Sequence, residues 1–131
     1  MATFDDVEAI LATLPEVTIG ERYGNRTWFT NKKGFAWDRP FSKADIKRFG
    51  TETPPAGPIL AVSTGDLGEK EAVLAAGHRG VFTIEHFNGY DAVLVQLSVV
   101  SRRVLRELVV DAWLARAKPT TAGAYLASKK P

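Results

Sequence analysis

Three observations in the sequence predict an α+β fold: a compact single domain over residues 1–131 with a mostly antiparallel sheet, two hairpins and flanking helices. Apolar residues recur at helical spacing near both ends of the chain. Aromatic-rich runs at 26–30 and 34–38 flank Asn31-Lys32-Lys33, and two further apolar runs flank Asn88-Gly89. Runs of strands and helices that do not alternate regularly give segregated α+β architecture rather than a parallel α/β sheet.

Each element follows in order. Phe4, Val7, Ile10, Leu11 and Leu14 form a helical stripe, with Thr3 and Asp6 at capping-box spacing and Pro15 marking the end. The runs 26–30 and 34–38 predict a hairpin with Lys32 and Lys33 at or near its tip. Asp38-Arg39-Pro40 ends that pairing. Ser42 and Asp45 repeat the capping-box spacing, opening a short helix anchored by Ile46 and Phe49. Residues 51–58, rich in Thr, Pro and Gly, predict a loop, and 59–63 a strand. Asp66 and Glu69 have N-cap and N3 spacing for a helix that runs through Val73 and Leu74 and stops at Gly77. Asn88-Gly89 predicts a tight two-residue turn joining strands 81–87 and 90–97. A long helix from Ser101 places Val104, Leu105, Leu108, Val109, Ala112 and Trp113 on one side. Pro119 interrupts it, and a last short helix over 120–128 turns Tyr125 and Leu126 inward. The tail 127–131 is expected to fray.

A chain of 131 residues can bury about two thirds of its extended surface. The absence of Cys excludes disulfides, thiol nucleophiles and thiolate metal sites. The first residues lack the basic and apolar regions of a signal peptide. The longest strongly apolar region, 92–100, contains Gln96 and Ser98 and falls far below the roughly 20 residues that cross a bilayer. These features predict a cytoplasmic protein with no membrane partner.

Charge is unevenly spread. Residues 22–48 hold Arg22, Arg26, Lys32, Lys33, Arg39, Lys43, Lys47 and Arg48 against Asp38 and Asp45, a local charge of +6 in a chain of net charge +2. Tyr23, Trp28, Phe29, Phe35 and Trp37 are interleaved, a composition that suits either a polyanion-binding face or a solvated hairpin over packed aromatics. Trp28 and Trp37 are candidate stacking platforms for unpaired bases, although a Trp in an alternating strand more often packs in a core.

Other chemistry is weaker. His78 and His86 are the only histidines, and neither has a partner at metal-ligand spacing; in a strand, Glu85 would point away from His86. Asp66 and Glu69 read as a cap, and residues 63–70 lack the complete phosphate-loop pattern. The 88–90 tip carries little positive charge. Arg102, Arg103 and Arg106 form a second basic cluster, best read as a solvated helix face. No metal or cofactor is predicted.

The residues Leu11-Ala12-Thr13-Leu14-Pro15-Glu16, Lys33-Gly34-Phe35-Ala36-Trp37 and the run 92–97 followed by a helix bearing Trp113 form an ordered set. In this the chain resembles the MmcQ/YjbR-like family of small bacterial proteins over residues 7–117. The resemblance implies a compact α+β double-wing fold and a proposed DNA-binding role, and it brings no catalytic residues. Members of that family often carry a Lys near the end of the central strand, whereas Ile59-Leu60-Ala61-Val62-Ser63-Thr64 has none.

The leading expectation is therefore a non-enzymatic DNA-binding module making mainly electrostatic phosphate contacts through the eight basic residues. The alternative is a protein-interaction or small-ligand module with the aromatics around Trp28 and Trp37 lining an apolar groove. An enzyme would need His78, His86, Glu85 and Asp91 to converge on one polar pocket.

Overall fold

The computed structural model describes residues 2–129. Helix α1 (Phe4–Leu11) opens with the expected reciprocal cap between Thr3 and Asp6. It leads to strands β1 (Thr18–Arg22), β2 (Asn25–Thr30) and β3 (Lys33–Asp38), helix α2 (Lys43–Phe49) and strand β4 (Ile59–Ser63). Helix α3 (Leu67–Ala75), a two-residue β5 (Val81–Phe82), a 3-10 turn (Glu85–Phe87), β6 (Ala92–Gln96), α4 (Arg102–Arg116) and α5 (Pro119–Ser128) follow. The strands form one sheet in the order β1-β2-β3-β4-β6-β5, with every neighbouring pair antiparallel. The α+β expectation holds.

Strand alternation gives the sheet two dressed faces. Leu60 and Val62 of β4 turn to one face and join Trp28, Phe35, Val93, Val95 and the apolar stripe of α4. The six residues expected on that stripe are the six that are buried. Trp113 ties the layer together: its indole N–H donates to the Pro15 carbonyl at 3.1 Å, and Tyr125 of α5 meets its ring edge-on. Ile59 and Ala61 point to the opposite face, where a smaller cluster of Leu94, Ala92, Ile84 and Phe87 is covered by Trp37, Phe41, Phe49 and Phe82. Having apolar cover on both sides is why all five residues of β4 are buried.

Several details depart from the sequence expectations. β1 was not expected, because Gly, Glu and Arg make up most of Thr-Ile-Gly-Glu-Arg and its residues show no apolar alternation; pairing with β2 along its full length makes it a strand. Tyr23 and Gly24 join the two with φ of 54° and 78°, the backbone that a two-residue hairpin turn demands. Asn31 and Lys32 do the same for the expected β2–β3 hairpin. Asn88-Gly89, by contrast, does not form a tight hairpin. Asn88 has φ −60° and ψ 129°, Gly89 has φ 75°, and the Tyr90 N–H donates to the Phe87 carbonyl at 3.0 Å. These angles are those of a type II turn, whose twist splays flanking strands. Pairing is confined to Val81–Val95 and Phe82–Leu94, and residues 83–91 leave the sheet to cover its smaller cluster. His86 therefore sits on the 3-10 turn and not in a strand.

Two residues expected to face inward also fall differently. Ile46 and Leu126 are exposed, since α2 packs against the smaller cluster through Phe49 and α5 packs against Trp113 of α4 through Tyr125 instead. Ala127 and Ser128, expected in the frayed tail, complete α5; Lys129 is its C-cap, and the remainder of the tail lies outside the described residues. Among the described residues no helix is long and apolar enough to cross a membrane.

Candidate functional site

The face of the sheet carrying the smaller cluster is covered only in part. α2 sits over one side and the segment 85–90 over another, and between them the ends of β1, β2 and β3 floor a groove of about 850 Å³. Its floor follows from register: Arg22 faces Asn25, Gly20 faces Thr27, and Thr27 faces Trp37, so Arg22, Asn25, Thr27 and Trp37 share one surface. Alternation sends Glu21, Arg26 and Asp38 to the opposite surface. The strand carboxylates of this basic segment thus lie on the far side of the sheet from the groove.

The apolar wall is aromatic. Trp37 lies 6.2 Å from Tyr90 and 6.4 Å from Phe87, and Tyr90 meets Phe87 edge-on at 5.5 Å. Tyr23 stands at the mouth, 93% exposed.

Each wall is held by one buried charge. On the α2 side Asp45 has a side chain only 1% exposed; it accepts from the Ser42 backbone N–H at 2.9 Å and pairs with Arg39 at 2.9 Å and Arg48 at 3.5 Å. Burial works against the charged carboxylate, but the Ser42 and Arg39 donors outweigh it and hold the Asp45 pKa below the usual carboxylate value. Arg39 is fastened in turn, its Nη1 donating to the Pro40 carbonyl at 2.6 Å with the guanidinium 5.5 Å from the Phe87 ring. On the other side Lys70 of α3 passes its ammonium group to the 85–90 segment, donating to the carbonyls of Phe87 at 2.5 Å and Tyr90 at 2.7 Å. Burial lowers the Lys70 pKa, and the nearby Asp91 carboxylate opposes part of that shift. Those two carbonyls are the ends of the type II turn, so the lysine clamps the aromatic wall. Nothing in the local sequence marks Lys70; it is one lysine on a helix of modest amphipathicity.

Arg22 completes the groove. Its guanidinium lies across Gly34, where a Cβ would come 2.8 Å from Nη1, and 5.9 Å from the Tyr23 ring. Among the described residues no carboxylate forms an ion pair with it.

The eight basic residues of 22–48 divide into three groups. Arg22 and Arg39 line the groove, with Arg48, Lys43 and Lys47 on the neighbouring helix. Lys32 and Lys33 sit at the tip of the β2–β3 hairpin and are not among the residues that line the groove. Arg26 lies on the other face, paired with Glu8 at 2.7 Å and packed over Phe4 and Trp28. Of the two candidate stacking residues, Trp37 lines the groove, whereas Trp28 is 3% exposed beneath Phe4 and Arg26 and offers no open ring face. His86 lines the groove and His78 follows α3 elsewhere, while Asp91 pairs with Arg116 at 3.0 Å. The four residues that an enzyme site required do not converge. Among the described residues there is no cluster of three His, Cys, Asp or Glu arranged to hold a metal.

The chain is 40% identical over 131 residues to the uncharacterized protein Rv2570 of Mycobacterium tuberculosis, covering 98% of both chains. The same identity and coverage relate it to the uncharacterized protein Mb2600 of Mycobacterium bovis. No family model and no solved structure matches the chain.

Proposed function

The chain belongs to one family with these mycobacterial proteins, and we propose that it is a non-enzymatic binding module whose groove receives an anionic ligand bearing a planar apolar group. One observation carries this reading: an arginine with no acid partner among the described residues and an aromatic wall face the same concave surface, and that surface's floor carries no carboxylate. Groove volumes of this order accommodate small ligands, and convergent polar groups on an apolar lining set their orientation. A guanidinium offers two parallel N–H donors to a carboxylate or phosphate. The absence of Cys supports a cytoplasmic setting.

The test uses 2-naphthoate as probe in a calorimetric titration. One saturable site per chain is expected, weakened about tenfold by Arg22→Ala, which corresponds to the loss of one charge-assisted contact. Lys32→Ala with Lys33→Ala is expected to leave the affinity unchanged. A titration with no saturable site, or one indifferent to Arg22, would sink the reading.

A second reading is DNA binding through phosphate contacts. It is favoured by Lys32, Lys33, Lys43 and Lys47, all exposed and without an ion-pair partner among the described residues, and by the resemblance to the MmcQ/YjbR-like family. Four phosphate contacts would weaken duplex binding about 100-fold between about 50 and 200 mM salt. Fluorescence anisotropy with a labelled duplex measures this. An affinity that holds as salt rises, or that survives alanine at all four lysines, counts against it.

A further inference from the structure

Resting on the groove reading, we propose that the ligand is a nucleotide unit of a single-stranded nucleic acid, with its unpaired base against the Trp37–Tyr90 wall and a flanking phosphate at Arg22. Three features of the groove point this way.

The first is chemical. Every base has a π-face, so stacking on aromatic side chains binds unpaired bases with little sequence preference, and a cation beside the ring takes the phosphate. Trp37 and Tyr90 supply adjoining rings, Tyr90 remaining 44% exposed, and Arg22 supplies the cation on the same surface.

The second is the shape of the mouth. A pocket for a free metabolite closes over most of its ligand, whereas this groove opens to solvent beside the Tyr23–Gly24 turn, where the Tyr23 ring is almost wholly exposed. A strand can enter and leave there with neighbouring bases outside. Lys43 and Lys47, one turn apart on the exposed side of α2, extend the positive field from the groove's other wall.

The third is what the surface excludes. A duplex keeps its base faces stacked inside, so a concave aromatic wall meets nothing it can pack against. With Arg26 turned away and paired with Glu8, the cations near the groove suit a few phosphates in a row.

The experiment measures anisotropy of a labelled oligothymidylate of about twelve nucleotides, a length within single-strand site sizes, beside the matched duplex, thymidine monophosphate and 2-naphthoate. The strand is expected to bind at least tenfold more tightly than either the duplex or the monophosphate. About three phosphate contacts would give a log–log salt slope near −2. Arg22→Ala and Tyr90→Ala should each weaken the strand about tenfold, and Tyr90→Phe should restore it, because stacking needs the ring and not the hydroxyl. Naphthoate binding without strand binding overturns the nucleotide assignment and leaves the groove reading standing. If neither binds, both fall. Monophosphate binding as tight as the strand's, duplex binding equal to it, or indifference to Tyr90→Ala also overturns the proposal.

Discussion

Replacing Lys70 by Met is expected to lower the unfolding free energy by about 3 kcal/mol, because one buried and one part-buried carbonyl each lose a charged donor, a loss of about 1–3 kcal/mol apiece. Met fills the volume of the lysine stem, so the change isolates the hydrogen bonds from packing. Relief from burying the ammonium offsets part of the loss. The affected carbonyls, at Phe87 and Tyr90, fix the turn that carries the aromatic wall, so naphthoate affinity should fall together with stability in urea titrations. A variant as stable as the parent would remove Lys70 from this role. The pH dependence has a definite sign. Burial lowers the folded-state pKa of Lys70 below its ordinary value of 10.5; between the two values the unfolded chain holds more protons, and the Lys70 contribution to stability grows as pH rises through that window. A neutral amine retains two N–H groups for the two carbonyls. The Met variant should lack this rise.

Asp45→Ala is expected to cost more, about 4 kcal/mol, since removing one partner of a buried ion pair strands the other charge at about 3–5 kcal/mol, and the Ser42 N–H loses its acceptor as well. Arg39, with its side chain 15% exposed, is the stranded charge. The substitution also removes the ion pair that fastens Arg39 to α2 at the second wall of the groove. Asp45→Asn should fall between parent and Ala, retaining an acceptor for the Ser42 N–H without the charge. Because the folded-state pKa of Asp45 is depressed, its contribution is complete above the unfolded value of 3.8 and disappears as pH falls through the lower, folded value. The stability difference between the parent and the Asn variant should therefore begin to narrow as pH falls below 3.8 and go on narrowing through the lower, folded-state value. Curves that remain parallel would show that the Arg39–Asp45 pair adds no stability.

Much of the fold was legible residue by residue. The capping pairs Thr3–Asp6, Ser42–Asp45 and Asp66–Glu69 all cap helices where their spacing put them. The stripe of α4 and the β2–β3 hairpin were equally visible, since each depends on side chains at most a few turns or one tight turn apart. β1 was not, because an edge strand with one neighbour can be built from Gly, Glu and Arg once a partner supplies its hydrogen bonds. The Asn88-Gly89 turn was misread because local turn preference admits both a tight hairpin and a type II turn, and Lys70, 17 and 20 residues before the two carbonyls it holds, stabilises the second.

The candidate site divides the same way. A basic, aromatic segment at 22–48 is a property of composition, and it was visible. Its sorting was not: register places Arg22 with Trp37, sends Arg26 to the other face against Glu8, and leaves Lys32 and Lys33 at the hairpin tip, outside the groove lining. Helix caps, turns and apolar periodicity are decided within the reach of a few side chains, so the order of residues specifies them. The groove joins Arg22 and Trp37 to Phe87 and Tyr90, groups separated by up to about half of the chain, and only the packing of sheet, α2 and the Lys70-held turn brings them onto one surface.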